Sequence, residues 1–418
     1  MTIPNSTRFY RYQVESLKIV FPEKGKHYDI DPKLIKSLVI ERDYEIDFFP
    51  VIQLDVSLDT DLYYMIIEEK LTVNFYIRLQ KYIFEENSTM APVKKDVFNA
   101  RFVAYIDENT PFLNKSEHKA ASEINSASTS PGKTPGTVGG NDLTFYLFKG
   151  EDIMNSKRIV NTVLTSATMT NAIAYILATL GYSKTLMTPL DNKQSYSEVV
   201  LPPLGFLANL VYLENQYGLY NRGSIIFFDL DAFYIIDKNP ACTAYRKGEY
   251  KNTVFMVRDS TNSNKFSSGS YDDDKQKTTF INVFPENIQV NTSSVAKDQI
   301  EGSHRLIINP FAGFTVDVRS KVEQRGGGTY KVIYNKYNNS FINKAEKAKI
   351  ESDERLKVLS VSDVDISAFT PNKLFTFKYE DSAINKAEGG NFRIVKSVFA
   401  LVSQGDYMKL DGQATFKK

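Results

Sequence analysis

The sequence predicts a mostly β protein of the α+β class, with two small antiparallel β-barrel-like domains flanking a central α/β domain. Apolar residues recur with a period of two in the first hundred residues and again near the C-terminus, with helical periodicity between these segments. The chain has 418 residues, more than one ordinary domain needs. We therefore expect a barrel-like domain over 1–114, a Ser/Pro/Gly-rich loop or linker over 115–142, a central α/β domain over 143–240 and a β-rich domain over 241–418.

The N-terminal segment has the pattern of antiparallel strands with one buried face. Ile52, Leu54, Val56 and Leu58 alternate with polar residues, and the segment 73–79 repeats the pattern. Further strands are predicted over 12–20, 35–42 and 97–106. Residues 59–69 begin with acidic residues and are too apolar for a turn, which predicts a short helix. We expect these elements to close into a small barrel.

A break follows over 115–142, where Ser, Pro and Gly dominate and little apolar surface is available for burial. This composition fits a linker, a long surface loop, or an arm onto a neighbouring subunit, and the sequence leaves the three open.

The central segment predicts a helix, a second helix and a hairpin, in that order. The first helix spans Thr168–Gly181, with Thr168 as N-cap and Gly181 in a left-handed C-cap. The second spans Leu201–Gly218 and starts with two prolines, which the first turn of a helix tolerates. The hairpin covers Ser224–Asp237 and turns at Asp229–Ala232.

The C-terminal segment returns to β structure. Apolar runs alternate with polar loops over 251–284 and 305–334, and three strands over 374–379, 392–402 and 407–416 form a predicted meander. The glycines at 326–328 lack the Lys-Ser/Thr of a phosphate-binding loop, so a hairpin turn explains them better.

The composition excludes several classes of function. The net charge is +1, from 51 basic and 50 acidic residues, which gives no electrostatic reason to expect binding to nucleic acid or an anionic membrane. The single cysteine, Cys242, excludes an intramolecular disulfide, and we expect it to be a buried thiol. The N-terminus lacks the pattern of a signal peptide, and no apolar run is long enough to span a bilayer.

The chain also lacks a recognisable catalytic motif. His27, His118 and His304 are far apart in sequence and lie outside zinc-binding spacings. The segment Gly132-Lys-Thr134 has Ala127 where a P-loop needs its first glycine. We therefore assign no catalytic, cofactor-binding or metal-binding residues and expect no cofactor.

Asp229-Leu-Asp231 resembles the two-carboxylate motif with which some glycosyltransferases hold a metal-bound sugar nucleotide, because carboxylates two residues apart at a strand end could share a cation. They lie in a predicted hairpin without a nucleotide-binding α/β pattern, which favours a structural role. The charge cluster at 272–274 is most simply a solvated loop.

Taken in order, several segments resemble the baseplate hub proteins of tailed phages and related contractile injection machines. The hub-like features are the capped helix at Thr168, Tyr217-Gly218-Leu219 after the second helix, and the hairpin. Near the C-terminus, a proline-led strand over 370–377 precedes Gly390-Asn-Phe-Arg-Ile-Val395.

The resemblance implies a structural virion protein and not an enzyme. It implies a homotrimeric tail baseplate hub, made in the host cytoplasm, whose two barrels per chain form a pseudo-sixfold ring. The hub would join the tail tube or distal tail protein to the central spike or tail lysin. Its channel would pass the tape measure protein and then DNA, without sequence-specific binding or membrane insertion.

Two alternatives stay open at this point. One is another phage tail or capsid structural protein. The other is a carboxylate-dependent enzyme, either a glycosyltransferase built around Asp229 and Asp231 or a wall hydrolase.

Overall fold

A closed barrel of eight antiparallel strands takes its strands from both ends of the chain. It is seen in a computed structural model that describes residues 8–67, 72–85, 90–106, 141–181, 184–221, 223–239, 252–258, 270–273, 278–292, 305–309, 313–317, 331–334 and 355–417. In pairing order the barrel strands are β3 (Ile35–Asp43), β4 (Val51–Leu58), β7 (Asn141–Lys149), β6 (Val93–Ile106), β5 (Val73–Glu85), β1 (Arg8–Phe21), β23 (Tyr407–Lys417) and β22 (Gly390–Gln404), and β22 pairs with β3 to close the circle.

The predicted alternation of the N-terminal strands is confirmed. In β4 the side chains of Leu54, Val56 and Leu58 are buried in the barrel core, whereas the polar residues between them are partly exposed. A short edge strand, β2 (Lys26–Ile30), pairs with β1. The predicted short helix is α1 (Thr60–Ile67), and the Asp59 carboxylate caps it by accepting a hydrogen bond from the Leu62 N–H at 2.8 Å.

A second β unit is built onto the same sheet. It adds β13 (Asn252–Val257), β14 (Ser270–Asp273), β15 (Thr278–Val283), β16 (Ile288–Thr292), β20 (Arg355–Ser362) and β21 (Leu374–Tyr379). Its core is aromatic, and the Phe255 ring lies 4.8 Å from Phe377 and 5.3 Å from Phe416 between ring centroids. The unit is not purely antiparallel, because β13 runs parallel to both β15 and β21.

The hairpin of β22 and β23 belongs to both units. The first part of β22 pairs with β21, with Phe392 opposite Phe375, and residues 396–402 pair with β3 of the barrel. The β23 strand pairs with β1 at Met408 and with β20 over its second half. The two long strands β22 and β23 therefore contribute to the cores of both units.

This pairing corrects the expectation that the first barrel is complete within residues 1–114. Three of its strands, β7, β22 and β23, come from beyond residue 114, because strands far apart in sequence can be neighbours in a sheet. The boundaries at 142 and 240 stay predictions.

The segment between β20 and β21 ties the two units together a second time. The Tyr12 hydroxyl donates to the Val364 carbonyl at 2.8 Å and accepts from the Ile366 N–H at 2.9 Å. The Lys81 ammonium lies 2.6 Å from the Asp365 carboxylate. Burial alone would raise the pKa of Asp365, but the Lys81 charge outweighs it and holds that pKa below its usual range.

The central unit follows β7 and has its own core. It contains α2 (Gly150–Lys157), β8 (Ile159–Thr168), α3 (Met169–Leu180), β9 (Thr185–Met187), β10 (Ser195–Gly205), α4 (Phe206–Gln216), β11 (Ser224–Phe228) and β12 (Phe233–Asp237). The predicted first helix and hairpin are confirmed as α3 and as β11 with β12. The Thr168 hydroxyl caps α3 by accepting from the Asn171 N–H at 3.2 Å, and Gly181 adopts a φ of +67°.

The predicted start of the second helix is wrong. Pro202 and Pro203 lie in β10, and α4 begins only at Phe206. The two prolines interrupt the pairing of β10 with β8 between Leu201 and Leu204, where the missing N–H groups are tolerated by an irregular register.

The predicted C-terminal meander is confirmed as β21, β22 and β23, with a short helix α5 (Ser382–Glu388) in the first connection, where a turn was expected. Three further strands, β17 (Arg305–Asn309), β18 (Gly313–Asp317) and β19 (Lys331–Tyr334), form a separate sheet. The expectations for residues 115–140, Cys242, His118, His304 and the 326–328 turn lie outside the described residues. Within the described ranges, no helix is long and apolar enough to cross a membrane.

The shared hairpin generates a stability prediction at Gly412. A Cβ there would lie 2.5 Å from Cδ1 of Phe399 and 2.7 Å from the Val398 carbonyl oxygen on the paired strand. We expect Gly412→Ala to lower the free energy of unfolding by about 1–3 kcal/mol, because a packed strand pair cannot take the added methyl group. Urea denaturation measures this.

The neighbouring exposed position is the matched control. Gln413→Ala on the same strand should change the free energy of unfolding by no more than about 0.5 kcal/mol. Equal effects of the two substitutions would contradict the packing described for β22 and β23.

Candidate functional site

The two carboxylates singled out in the sequence lie at the junction between the central hairpin and the barrel. Arg42, near the end of β3, reaches Asp229 at the hairpin turn with 2.8 Å between Nε and Oδ1, and the two side chains are 4% and 0% exposed. The Leu230 N–H donates to the same carboxylate oxygen at 2.8 Å, and the Tyr44 hydroxyl lies 3.4 Å from the other oxygen. Asp229 therefore joins the central unit to the barrel through a buried ion pair.

Both faces of the hairpin are buried, which explains its continuous apolar sequence. Ile225 and Phe227 pack into the barrel core with their partners on β12, whereas Ile226 and Phe228 pack into the core of the central unit. Tyr44 contacts Phe227 edge-to-face with 4.7 Å between ring centroids. The hairpin therefore separates the two cores and contributes side chains to both.

The electrostatics of the junction follow from burial and from the neighbouring charges. Burial disfavours a charge on Arg42, but the Asp229 carboxylate outweighs that cost, so the pKa of Arg42 lies above its ordinary value. Asp231 is exposed at the hairpin turn, and partial desolvation of its carboxyl, together with the charge of Asp229, raises its pKa. Asp231 accepts a hydrogen bond from the Tyr234 hydroxyl at 2.8 Å.

This geometry argues against the shared-cation interpretation of Asp229 and Asp231. Arg42 pairs with the Asp229 carboxylate, and the Tyr234 hydroxyl donates a hydrogen bond to the Asp231 carboxylate. Within the described part of the chain, no group of three or more His, Cys, Asp or Glu side chains is placed to hold a metal ion. Of the three histidines, His27 lies exposed on β2, and the other two fall outside the described ranges.

The Tyr217-Gly218-Leu219 motif has a clear local function. Gly218 has a φ of +75°, which a residue with a side chain rarely adopts. The buried Glu214 carboxylate accepts from the Leu219 N–H at 2.9 Å and from the Ser224 N–H at 3.1 Å. The motif therefore ends α4 and sets the direction in which the hairpin begins.

A second feature, missed by the sequence reasoning, is an exposed apolar face on the ribbon formed by β8 and β10. Val163 and Val200 are directly opposite one another across the ribbon and are 54% and 41% exposed. Ile159, at the start of β8, is 70% exposed. The sequence feature that could have indicated this face is the uncharged run over residues 159–168. That run is short enough to be ambiguous between a strand and a loop. Contiguous exposed apolar side chains mark a candidate protein–protein interface.

The junction predicts opposite outcomes for two neighbouring isosteric substitutions. Asp229→Asn leaves the buried Arg42 charge without its partner and should lower the free energy of unfolding by about 3–5 kcal/mol. Asp231→Asn keeps a hydrogen-bond acceptor for Tyr234 and should not be destabilising at neutral pH. Chemical denaturation of both variants measures the difference, and equal losses would contradict the assignment of the ion pair to Asp229.

The raised pKa of Asp231 predicts a pH dependence. In the folded protein this carboxyl binds its proton more tightly than in the unfolded chain, so it contributes stability at acid pH that is lost as the pH rises through the folded-state pKa. We expect Asp231→Asn to be more stable than the native chain at about pH 7, and the gain to vanish below about pH 4. A gain that is independent of pH would contradict this origin.

The chain was compared with known proteins. Comparison with curated proteins gives no match. A tail protein from Neisseria meningitidis MC58 has a similar solved structure, with 10% identity, a TM-score of 0.49, and coverage of 99% of this chain and 97% of that one. The 43 kDa tail protein of prophage MuSo2 from Shewanella oneidensis is 11% identical, with a TM-score of 0.47 and 96% coverage of each chain. Prophage tail protein gp18 from Listeria monocytogenes EGD-e is 9% identical, with a TM-score of 0.41 and coverage of 97% and 94%.

A family model gives the assignment. Residues 10–418 match the family described as Bacteriophage PBS1 gene 109 protein. This match confirms the resemblance to phage proteins that the sequence motifs predict. Because it spans nearly the whole chain, the protein belongs to the Bacteriophage PBS1 gene 109 protein family.

Proposed function

We propose that this protein is a structural component of a phage tail and acts as its baseplate hub. In that role it joins the tail tube, or a distal tail protein, to the central spike or tail lysin. Membership of a bacteriophage family supports a virion protein, and the order of barrel, helix–helix–hairpin unit and second β unit supports a hub.

The observation that carries the proposal is the hairpin of β22 and β23, which is shared by two β units of one chain. Since both units are built on the same two strands, each chain presents two β units side by side. Three chains would then present six β units. Such a threefold assembly could contact a sixfold tube on one face and a threefold spike on the other.

The charge of the chain fits a channel. A lumen that passes a tape measure protein and then DNA must not hold the phosphate backbone, and a net charge of +1 provides no large basic surplus to do so. The Asp229 and Asp231 carboxylates, which an enzyme would need free, have arginine and tyrosine partners. The proposed activity is mechanical, and its site is a set of contacts between chains.

The solution mass of the purified chain tests this proposal. Light scattering coupled to size exclusion should give three times the 47.5 kDa chain mass, either for the chain alone or after addition of the tube protein from the same phage. A monomer under both conditions, over the full accessible concentration range, would contradict a trimeric hub.

A further inference from the structure

The β8 strand presents an edge that neither charge nor proline protects against strand pairing, and its backbone is irregular at Ser166, which has a φ of +51°. Among the described residues it pairs with no strand other than β10, and the Val160 carbonyl accepts a hydrogen bond from the Asn209 side chain at 2.8 Å. Residues 159–168 include no charged residue and no proline, and Ile159 and Val163 are exposed. Free edges in single chains are normally blunted by charges, proline or a bulge, because an open edge recruits another strand.

Two other edges among the described residues, those of β10 and β2, carry that protection. The β10 edge has Pro202 and Pro203, which lack N–H groups, and the exposed Glu198. The β2 edge has Lys26 and Asp29. By contrast with β10 and β2, β8 is an edge suited to pairing.

A second unprotected edge lies in the other half of the molecule. The β16 strand pairs only with β20 among the described residues, includes no charged residue, and exposes Val290 to 39%. It belongs to the second β unit, whereas β8 belongs to the central unit. The chain therefore carries two different neutral edges on two different units.

We propose that β8 of one copy pairs with β16 of a second copy, adding a strand to each sheet. A second copy of the chain is the partner that these edges favour, because the chain itself supplies both edges and neither edge has the charge needed to select a charged partner. The two edges differ, so the contact is heterologous and repeats from copy to copy until a ring closes. This inference rests on the proposed hub and names its subunit contact.

Lysine substitutions at the two edges test the pairing. Val163→Lys and Val290→Lys each place a charge on one edge, and each should weaken self-association at least about tenfold, since lysine on an edge strand opposes pairing. Ile384→Lys, on the exposed face of α5, is the matched control and should leave the assembly intact. Circular dichroism spectra that match the native chain exclude unfolding as the cause.

Disulfide trapping gives an independent readout. In a Cys242→Ser background, one chain receives a cysteine at Asn161 or Val163 on β8, and a second chain receives one at Gln289 or Val290 on β16. Oxidation should give a covalent dimer when the two chains are mixed and none when either is oxidised alone.

The results of these two experiments distinguish a failure of the β8–β16 contact from a failure of the proposed hub function. A trimer that survives both lysine substitutions, with no disulfide in any mixture, overturns the β8–β16 contact and leaves the hub standing. A native chain that stays monomeric both alone and with the tube protein overturns both. Disulfides within β8-cysteine chains alone would mean a twofold β8–β8 contact and would also overturn the proposal.

Discussion

The architecture depends on one constraint, that β22 and β23 are long enough to be core strands of two units at once. The first half of β22 faces the aromatic core around Phe255, and its second half closes the eight-stranded barrel. A fault in this hairpin therefore removes apolar contacts from both cores. This explains why Gly412 opposes Phe399, since only a glycine leaves room for the ring between two closely paired strands. It also fixes the spacing of the two units within a chain, which a ring of alternating units requires.

The central unit is oriented by polar contacts as well as by packing. The hairpin buries apolar side chains on both faces, and such packing is non-directional. The ion pair between Arg42 and Asp229 adds a directional contact, because a displaced hairpin would leave a buried charge unpaired. Such a pair contributes more to the choice of structure than to net stability, as its desolvation offsets most of the attraction.

Local features were predictable from the sequence, and long-range ones were not. The Thr168 cap, the Gly181 terminus and the hairpin over Ser224–Asp237 each depend on adjacent residues, and the structure has each of them. The pairing of β22 with β3 joins residues more than 350 positions apart, and no periodicity reports it. Pro202 and Pro203 were misassigned because proline suits both a first helical turn and an irregular edge strand. The carboxylates were found in sequence, but their partner Arg42 is distant, so their structural role emerged only from the fold.

We propose that three copies of this chain present six β units around a channel. Electron microscopy of the purified assembly, averaged without imposed symmetry, tests it most directly. For the proposed trimer we expect a ring with threefold rotational symmetry, six β lobes and an open centre. A closed particle without a channel, or a ring whose lobes do not number six, would contradict it.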